Sequence, residues 1–129
     1  LRWSLERDED VGEIVTPNGK AIKYYDLSEK EGDLMAATTK GETKKRLFGG
    51  LLAENLVHST ARDLFADALL RLEGLGLPVV LHVHDSVTVE VAENEGERAL
   101  EALVQALSEP PAWADGLPLA AEGEIKGHY

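Results

Sequence analysis

The fold of this chain is constrained most strongly by the stretch Val79-Val-Leu-His-Val-His-Asp-Ser-Val-Thr-Val-Glu-Val91. Two apolar, β-branched runs, 79–83 and 87–91, flank a polar tip, a pattern typical of a β-hairpin. Such a hairpin holds Asp85 at a stiff apex, where its carboxylate can bind a hard divalent cation. Aspartate is also a common turn residue without further function, so the spacing alone leaves both interpretations open.

Strand-like and helix-like segments follow one another in the rest of the chain. Apolar runs at 12–16 and 20–25 surround Pro17-Asn18-Gly19, a turn signal, and a third strand is expected at 34–39. Apolar residues recur at steps of three and four over 49–73 and 96–108, which predicts two amphipathic helices. Pro110 and Pro111 end the second helix, and a closing strand is expected at 117–125.

This order of elements predicts an α+β fold, with one antiparallel sheet that includes the hairpin and is covered on one face by two helices. The 129 residues, 43% of them hydrophobic, suffice for a single domain with one modest core. Its expected segments are a β-rich part with a basic loop (1–48), a long helix (49–73), the hairpin (78–91), and a helix with the closing strand (95–129).

The composition excludes several classes of protein. There is no cysteine, so disulfides, thiolate nucleophiles and cysteine-ligated zinc are ruled out. No signal peptide is recognisable, and no apolar run approaches the roughly 18 residues of a membrane span. A cytoplasmic location without membrane contact is therefore expected. Leu1, in place of an initiator methionine, suggests a fragment or a processed chain.

Charge is unevenly distributed. The formal net charge of −11 argues against an autonomous nucleic-acid binder, because neutralising phosphates requires Lys and Arg. Four cations nevertheless lie close together, opposed by Glu42 alone: Lys40, Lys44, Lys45 and Arg46. Between residues 90 and 124 there are nine acidic residues and a single basic residue, Arg98. A basic loop on an acidic body fits a module that touches a nucleic-acid backbone locally, although an ordinary solvated loop has the same composition.

Two further patterns have a functional and a structural interpretation. His82 and His84 alternate along a strand and would share a face, as zinc-binding pairs require, but no further histidine cluster follows. Glu54, His58 and Arg62 form a polar stripe at i, i+4 and i+8 of the long helix. Such stripes are usually solvated, but this one could meet a duplex if the helix packs beside the hairpin.

Taken together, these segments resemble family A DNA polymerases, the bacterial polymerase I type, and especially their phage and prophage members. Val80-Leu-His-Val-His-Asp85 resembles motif C, and Gly49-Gly-Leu-Leu-Ala-Glu-Asn-Leu-Val-His-Ser-Thr-Ala-Arg-Asp-Leu64 is similar to the palm helix that precedes it. Thr16-Pro-Asn-Gly-Lys20 and Glu109-Pro-Pro-Ala-Trp-Ala-Asp-Gly-Leu-Pro-Leu-Ala-Ala-Glu-Gly123 also resemble phage members. The likeness spans about residues 14–129, and its ordered motifs favour a functional Asp85 over a simple turn residue.

The resemblance implies roles for individual residues. Asp85 matches the second metal-binding aspartate of the family, and His84 the histidine beside the primer terminus. His58 stands where the family usually has a DNA-contacting glutamine, which puts that contact in doubt. Ser86 replaces the glutamate that normally follows the aspartate. Single-subunit phage RNA polymerases carry His-Asp-Ser at the same place, so serine is compatible with catalysis.

Two parts of the family pattern have no counterpart in this sequence: the motif A aspartate and the fingers helix that grips the nucleotide. The resemblance therefore implies a C-terminal palm portion of a DNA replication enzyme, inactive alone. Two Mg²⁺ ions would be held by Asp85 and a carboxylate from outside this chain. The implied partners are a DNA primer-template, a dNTP and a complementary polymerase chain or segment, with self-association a further expectation.

Two other functions remain open. A non-catalytic scaffold or assembly module derived from a polymerase palm would need no complementary chain and would survive the loss of Asp85. The hypothesis that the chain is a fragment of a single-subunit RNA polymerase rests on Ser86 alone. The flanking segments, which resemble phage DNA polymerases, weigh against it.

Overall fold

A computed structural model describes residues 3–6 and 10–127. The chain is α+β, with two antiparallel sheets and two α-helices, as the order of its segments predicts. It divides into two compact units, Leu1–Ala61 and Arg62–Tyr129. The prediction of one common sheet is wrong, because the hairpin strands pair only with each other within the described chain.

The first unit contains a five-stranded sheet whose strands follow one another in chain order. These strands are β1 (Trp3–Glu6), β2 (Val11–Val15), β3 (Ala21–Lys30), β4 (Asp33–Ala37) and β5 (Lys45–Leu47). Neighbours are antiparallel throughout, as consecutive hairpins require. The predicted turn joins β2 to β3: the Thr16 amide donates to the Lys20 carbonyl at 2.8 Å, and Gly19 has a φ of 87°.

The core of this unit lies between the sheet and the start of a helix. Helix α1 runs from Gly49 to Gly74, and the boundary between the two units falls within it. Leu51, Leu52 and Leu56 pack against a buried cluster made of Ile14, Tyr24, Ala36 and Leu47. The Tyr24 hydroxyl, at the centre of this core, accepts a hydrogen bond of 2.9 Å from Asn55 Nδ2. The helix therefore satisfies the one polar atom of a buried aromatic ring.

The second unit combines the end of α1 with a hairpin and a second helix. The hairpin consists of β6 (Val79–Val83) and β7 (Ser86–Val89), and α2 runs from Gly96 to Ser108. Short 3₁₀ turns lie at Glu93–Glu95 and Ala112–Ala114. Leu72, Leu103 and Ala106 form the buried cluster, and one face of the hairpin packs on it through Val79, Val87 and Val89. The buried residues of α2 are Ala99, Leu103 and Ala106.

The closing strand expected at 117–125 does not form: residues 117–126 have no regular secondary structure. This segment packs on α2 instead. A Cβ at Gly123 would lie 2.5 Å from Leu100 Cδ1, and the Ala121 amide donates to Ser108 Oγ at 3.1 Å. Contacts with α2 therefore take the place of strand pairing in this segment.

No helix in the described ranges is both long and apolar enough to span a membrane.

Candidate active site at the hairpin tip

The tip of the hairpin is a two-residue turn, His84-Asp85, closed by the pairing of Val83 with Ser86. Both turn residues are exposed. His84 has a φ of 56°, in the left-handed region that is sparsely populated by residues other than glycine. The sequence therefore predicts the position of Asp85 at an apex correctly, but it gives no sign of the unusual backbone beside it.

A β-bulge at Val80 decides which side chains of the hairpin face the core. Val79 pairs with Val89, whereas Leu81 pairs with Thr88, so that β6 has one more residue than β7 in this interval. Because the extra residue inverts the alternation, Leu81 and Val83 face away from the core and are exposed. His82, which simple alternation would place opposite Val79, shares the core-facing side with Val87.

His82 anchors the hairpin to helix α1. Its ring meets that of Phe65 edge-on, with the centroids 6.1 Å apart and the planes at 65°. The periodicity of α1 places Phe65 on the inward side, but nothing in the sequence pairs it with His82. Since His84 lies in the turn rather than on β6, the two histidines do not form the strand pair of the zinc hypothesis. Within the described residues, no three His, Asp or Glu side chains are grouped so as to hold a metal.

The Asp85 carboxylate is available to a ligand from outside the chain. Among the described residues it makes no hydrogen bond or ion pair. An exposed carboxylate on a short turn is a suitable oxygen donor for Mg²⁺, which commonly takes one or two carboxylates together with phosphates and water. Asp85 alone does not make a two-metal site. Such a site holds two metal ions about 4 Å apart and needs a second carboxylate to bind them.

The Ser86 side chain makes a hydrogen bond across the turn that the sequence does not predict. Its Oγ donates a hydrogen bond of 2.8 Å to the Val83 carbonyl, spanning the turn. The hydroxyl therefore fixes the chain on either side of His84 and Asp85. A catalytic role for Ser86 stays a prediction.

Three predicted nucleic-acid contacts lie on helix α1, and all are exposed. Glu54 and His58 belong to the first unit, and Arg62 to the second. Exposure leaves each side chain able to meet a ligand. Their placement beside Asp85 stays a prediction.

The basic segment is only partly a loop. Lys45 and Arg46 lie in β5, at the edge of the five-stranded sheet, because the chain pairs there with β4. Lys44 Nζ donates to Ser28 Oγ at 3.1 Å, and Arg46 Nε lies 2.9 Å from Asp33 Oδ1. All four cations of the segment, including Lys40, are exposed. Two of the four cations thus lie on the edge strand, and Lys40 and Lys44 lie in the irregular segment before it.

Comparison with known proteins gives one informative similarity. The chain is 35% identical over 126 residues to a DNA polymerase of Bacillus phage SP02, and the match covers 90% of this chain. It spans only 19% of the length of that polymerase. No protein-family model and no solved structure matches the chain. The chain is thus similar to a region of a phage DNA polymerase, in agreement with the polymerase resemblance of its motifs.

Proposed function

We propose that this chain is the C-terminal palm part of a template-directed DNA polymerase of the family A type. The observation that carries the proposal is the 35% identity to a phage DNA polymerase over nearly the whole chain. The exposed aspartate at the tip of a short hairpin supports it, because phosphoryl transfer uses carboxylates projecting from a rigid element.

The proposed reaction is nucleotidyl transfer. The 3′ hydroxyl of the primer attacks the α-phosphate of a dNTP, a new P–O bond forms, and pyrophosphate leaves as the α–β bond breaks. Asp85 contributes a carboxylate to the site, and His84 lies against the primer terminus. Asp85 and a carboxylate from outside this chain would hold Mg²⁺, which would supply electrostatic stabilisation of the attacking and leaving oxygens.

The proposed DNA contacts come from both units. His58, Arg62 and Glu54 would meet the primer-template along α1, and Lys44, Lys45 and Arg46 would meet phosphates along the edge strand. Because the net charge of the chain is −11, these contacts are too few to hold a duplex alone. The proposal therefore includes a complementary polymerase part that supplies further basic surface, the nucleotide grip and the second carboxylate. Without that part, the chain does not extend a primer.

The first step of the test is affinity purification of the chain from its native source, with mass spectrometry of what accompanies it. Recovery of a longer chain containing these peptides, or of a separate chain with an additional carboxylate motif and a nucleotide-binding helix, supports the proposal. Recovery of unrelated proteins alone contradicts it and favours a scaffold.

The second step is primer extension by the recovered assembly. Asp85→Asn removes the charge but keeps the size of the side chain, and we expect extension to fall by about a hundredfold or more. Glu90→Gln is the matched control, because Glu90 is an exposed acid just beyond β7 and should leave extension unchanged. An unaltered extension rate with Asp85→Asn would contradict a catalytic role for the hairpin tip. If the wild-type assembly extends no primer, the polymerase function is contradicted and the scaffold function is favoured.

A further inference from the structure

The second unit contains an open groove of about 910 Å³ that is separate from the hairpin tip. The last turns of α1 form one wall, α2 forms the other, and the Pro110–Trp113 segment lies at one end. Leu70 and Leu75 line this groove with 70% and 61% of their surface exposed. Small-molecule sites enclose most of their ligand, whereas these leucines lie open to solvent. The groove therefore suits an elongated macromolecular segment.

Its walls have the geometry of a helix-packing surface. From α1 it is lined by Asp67, Leu70, Arg71 and Gly74, and from α2 by Ala102, Gln105 and Ala106, with Glu109 just past the end of α2. The α1 set follows the i, i+3, i+4, i+7 spacing of a single helix face, and the α2 set follows the i, i+3, i+4 part of that spacing. Gly74, Ala102 and Ala106 have little or no side chain, so a third helix could approach both walls closely and place its own apolar side chains between them.

Trp113 makes the end of the groove rigid. Its indole Nε1 donates a hydrogen bond of 2.6 Å to Asp67 Oδ2, which ties the Pro110–Trp113 segment to α1 across the groove. A groove with a fixed end needs less ordering when a partner binds than one formed by mobile loops.

Charge distinguishes between the possible occupants. Residues 62–129 carry thirteen acidic and four basic side chains, a formal charge of −9. Among the described residues that line the groove, Arg71 is the one cation, against the acids Asp67 and Glu109. A second copy of this acidic unit would be repelled, and so would a nucleic acid. A basic partner is attracted.

We propose that this groove docks a basic amphipathic α-helix of a protein partner, with apolar side chains against Leu70 and Leu75 and cations toward Glu109. This proposal does not depend on the polymerase function, because the groove contains none of the residues assigned to that activity.

The test uses the full chain and a synthetic 18-residue amphipathic helix of Leu and Lys, with NMR chemical shifts and the combined fluorescence of Trp3 and Trp113 as readouts. We expect saturable binding with shifts concentrated along the groove, and a dissociation constant that rises severalfold between 50 and 300 mM NaCl. Leu70→Ser and Leu75→Ser should each weaken binding about tenfold, since each removes a buried apolar contact. Glu109→Gln should weaken it severalfold.

Matched controls distinguish binding in the groove from nonspecific binding of the peptide to the protein surface. Val80→Ser removes an apolar side chain of similar exposure on the hairpin, and Glu122→Gln removes an exposed acid outside the groove; both should bind like the wild type. The proposal is overturned if Leu70→Ser and Leu75→Ser leave binding unchanged, or if a Leu/Glu helix or a peptide with scattered leucines binds equally well. It is also overturned if the groove instead mediates dimerisation in sedimentation or binds duplex DNA.

Discussion

At the scale of single residues, the buried Thr16 has the clearest structural role in the first unit. Its Oγ1 donates to the Lys20 carbonyl at 3.0 Å, the Lys20 amide lies 3.1 Å from the same oxygen, and Asn18 Oδ1 is a further neighbour. Thr16 is only 4% exposed, so these partners satisfy the hydrogen bonding of a buried hydroxyl. One hydroxyl therefore organises the β2–β3 turn.

We expect Thr16→Val to lower the free energy of unfolding by about 0.5–1.5 kcal/mol, because it removes the hydrogen bonds of the hydroxyl while keeping the side-chain volume. Thr16→Ser, which keeps the hydroxyl, should lower the free energy of unfolding clearly less than Thr16→Val does. Urea denaturation monitored by circular dichroism measures both. A valine variant as stable as the wild type would show that the hydroxyl contributes nothing to the turn.

The left-handed backbone at His84 leads to a second prediction at this scale. Glycine adopts this conformation without the steric cost that His84 bears, so His84→Gly should stabilise the fold by about 0.5–1 kcal/mol. If the proposed role at the primer terminus is correct, the same substitution should lower primer extension by the complete polymerase at least tenfold. Thermal unfolding and extension assays give the two values. A variant that is less stable than the wild type contradicts the first expectation, and undiminished extension contradicts the second.

The candidate site could be predicted only in part, for reasons that belong to individual residues. The apex position of Asp85 follows from composition, because two β-branched runs around a polar triplet have few other arrangements. The bulge at Val80 could not be predicted from the sequence, since a valine fits either face of a strand. The His82–Phe65 contact depends on that bulge, and so it could not be anticipated either.

At the scale of elements, the end of α1 and the whole of α2 form the core of the second unit, with Leu72 fully buried between them. We expect Leu72→Ala to destabilise the chain by about 3–5 kcal/mol, because it leaves a cavity in a packed core. Leu70→Ala, two residues away on the same helix, is the matched control and should cost less than about 1 kcal/mol, since Leu70 is largely exposed. Urea unfolding of both variants provides the comparison, and equal losses would show that the burial of Leu72 is not what stabilises this unit.

The elements differ in how well the sequence predicts them. Both helices and strands β2, β4, β6 and β7 coincide closely with their predicted ranges, because each has either a helical or an alternating apolar pattern. Strand β3 begins as predicted but continues to Lys30, five residues past its predicted end. Strand β5 is too short and too charged to be recognised. The expected strand at 117–125 does not form, and the segment contacts α2 at Gly123 and through the Ala121 amide instead. Tertiary contacts decide both cases.

At the scale of the whole molecule, the net charge of −11 opposes the folded state through self-repulsion. Raising NaCl from 20 to 500 mM should therefore increase the free energy of unfolding, by about 1 kcal/mol, as the ions screen like charges. A triple variant, Glu93→Gln, Glu97→Gln and Glu101→Gln, neutralises three exposed acids and should show a smaller increase. Urea titrations at both salt concentrations check this, and an equal or larger response in the triple variant would refute the electrostatic explanation.

The two-residue turn of the hairpin also limits how this chain can change over evolutionary time. Val87 and Val89 pack on the core of the second unit, so the face each β7 residue presents is fixed. If the turn keeps its two residues, inserting or deleting one residue at positions 84–85 would turn every following side chain of β7 to the opposite face. Substitutions at the tip alter only the tip, whereas a single-codon change in length would disrupt the core as well. Variation in this loop should therefore be found in the identity of its residues and not in their number.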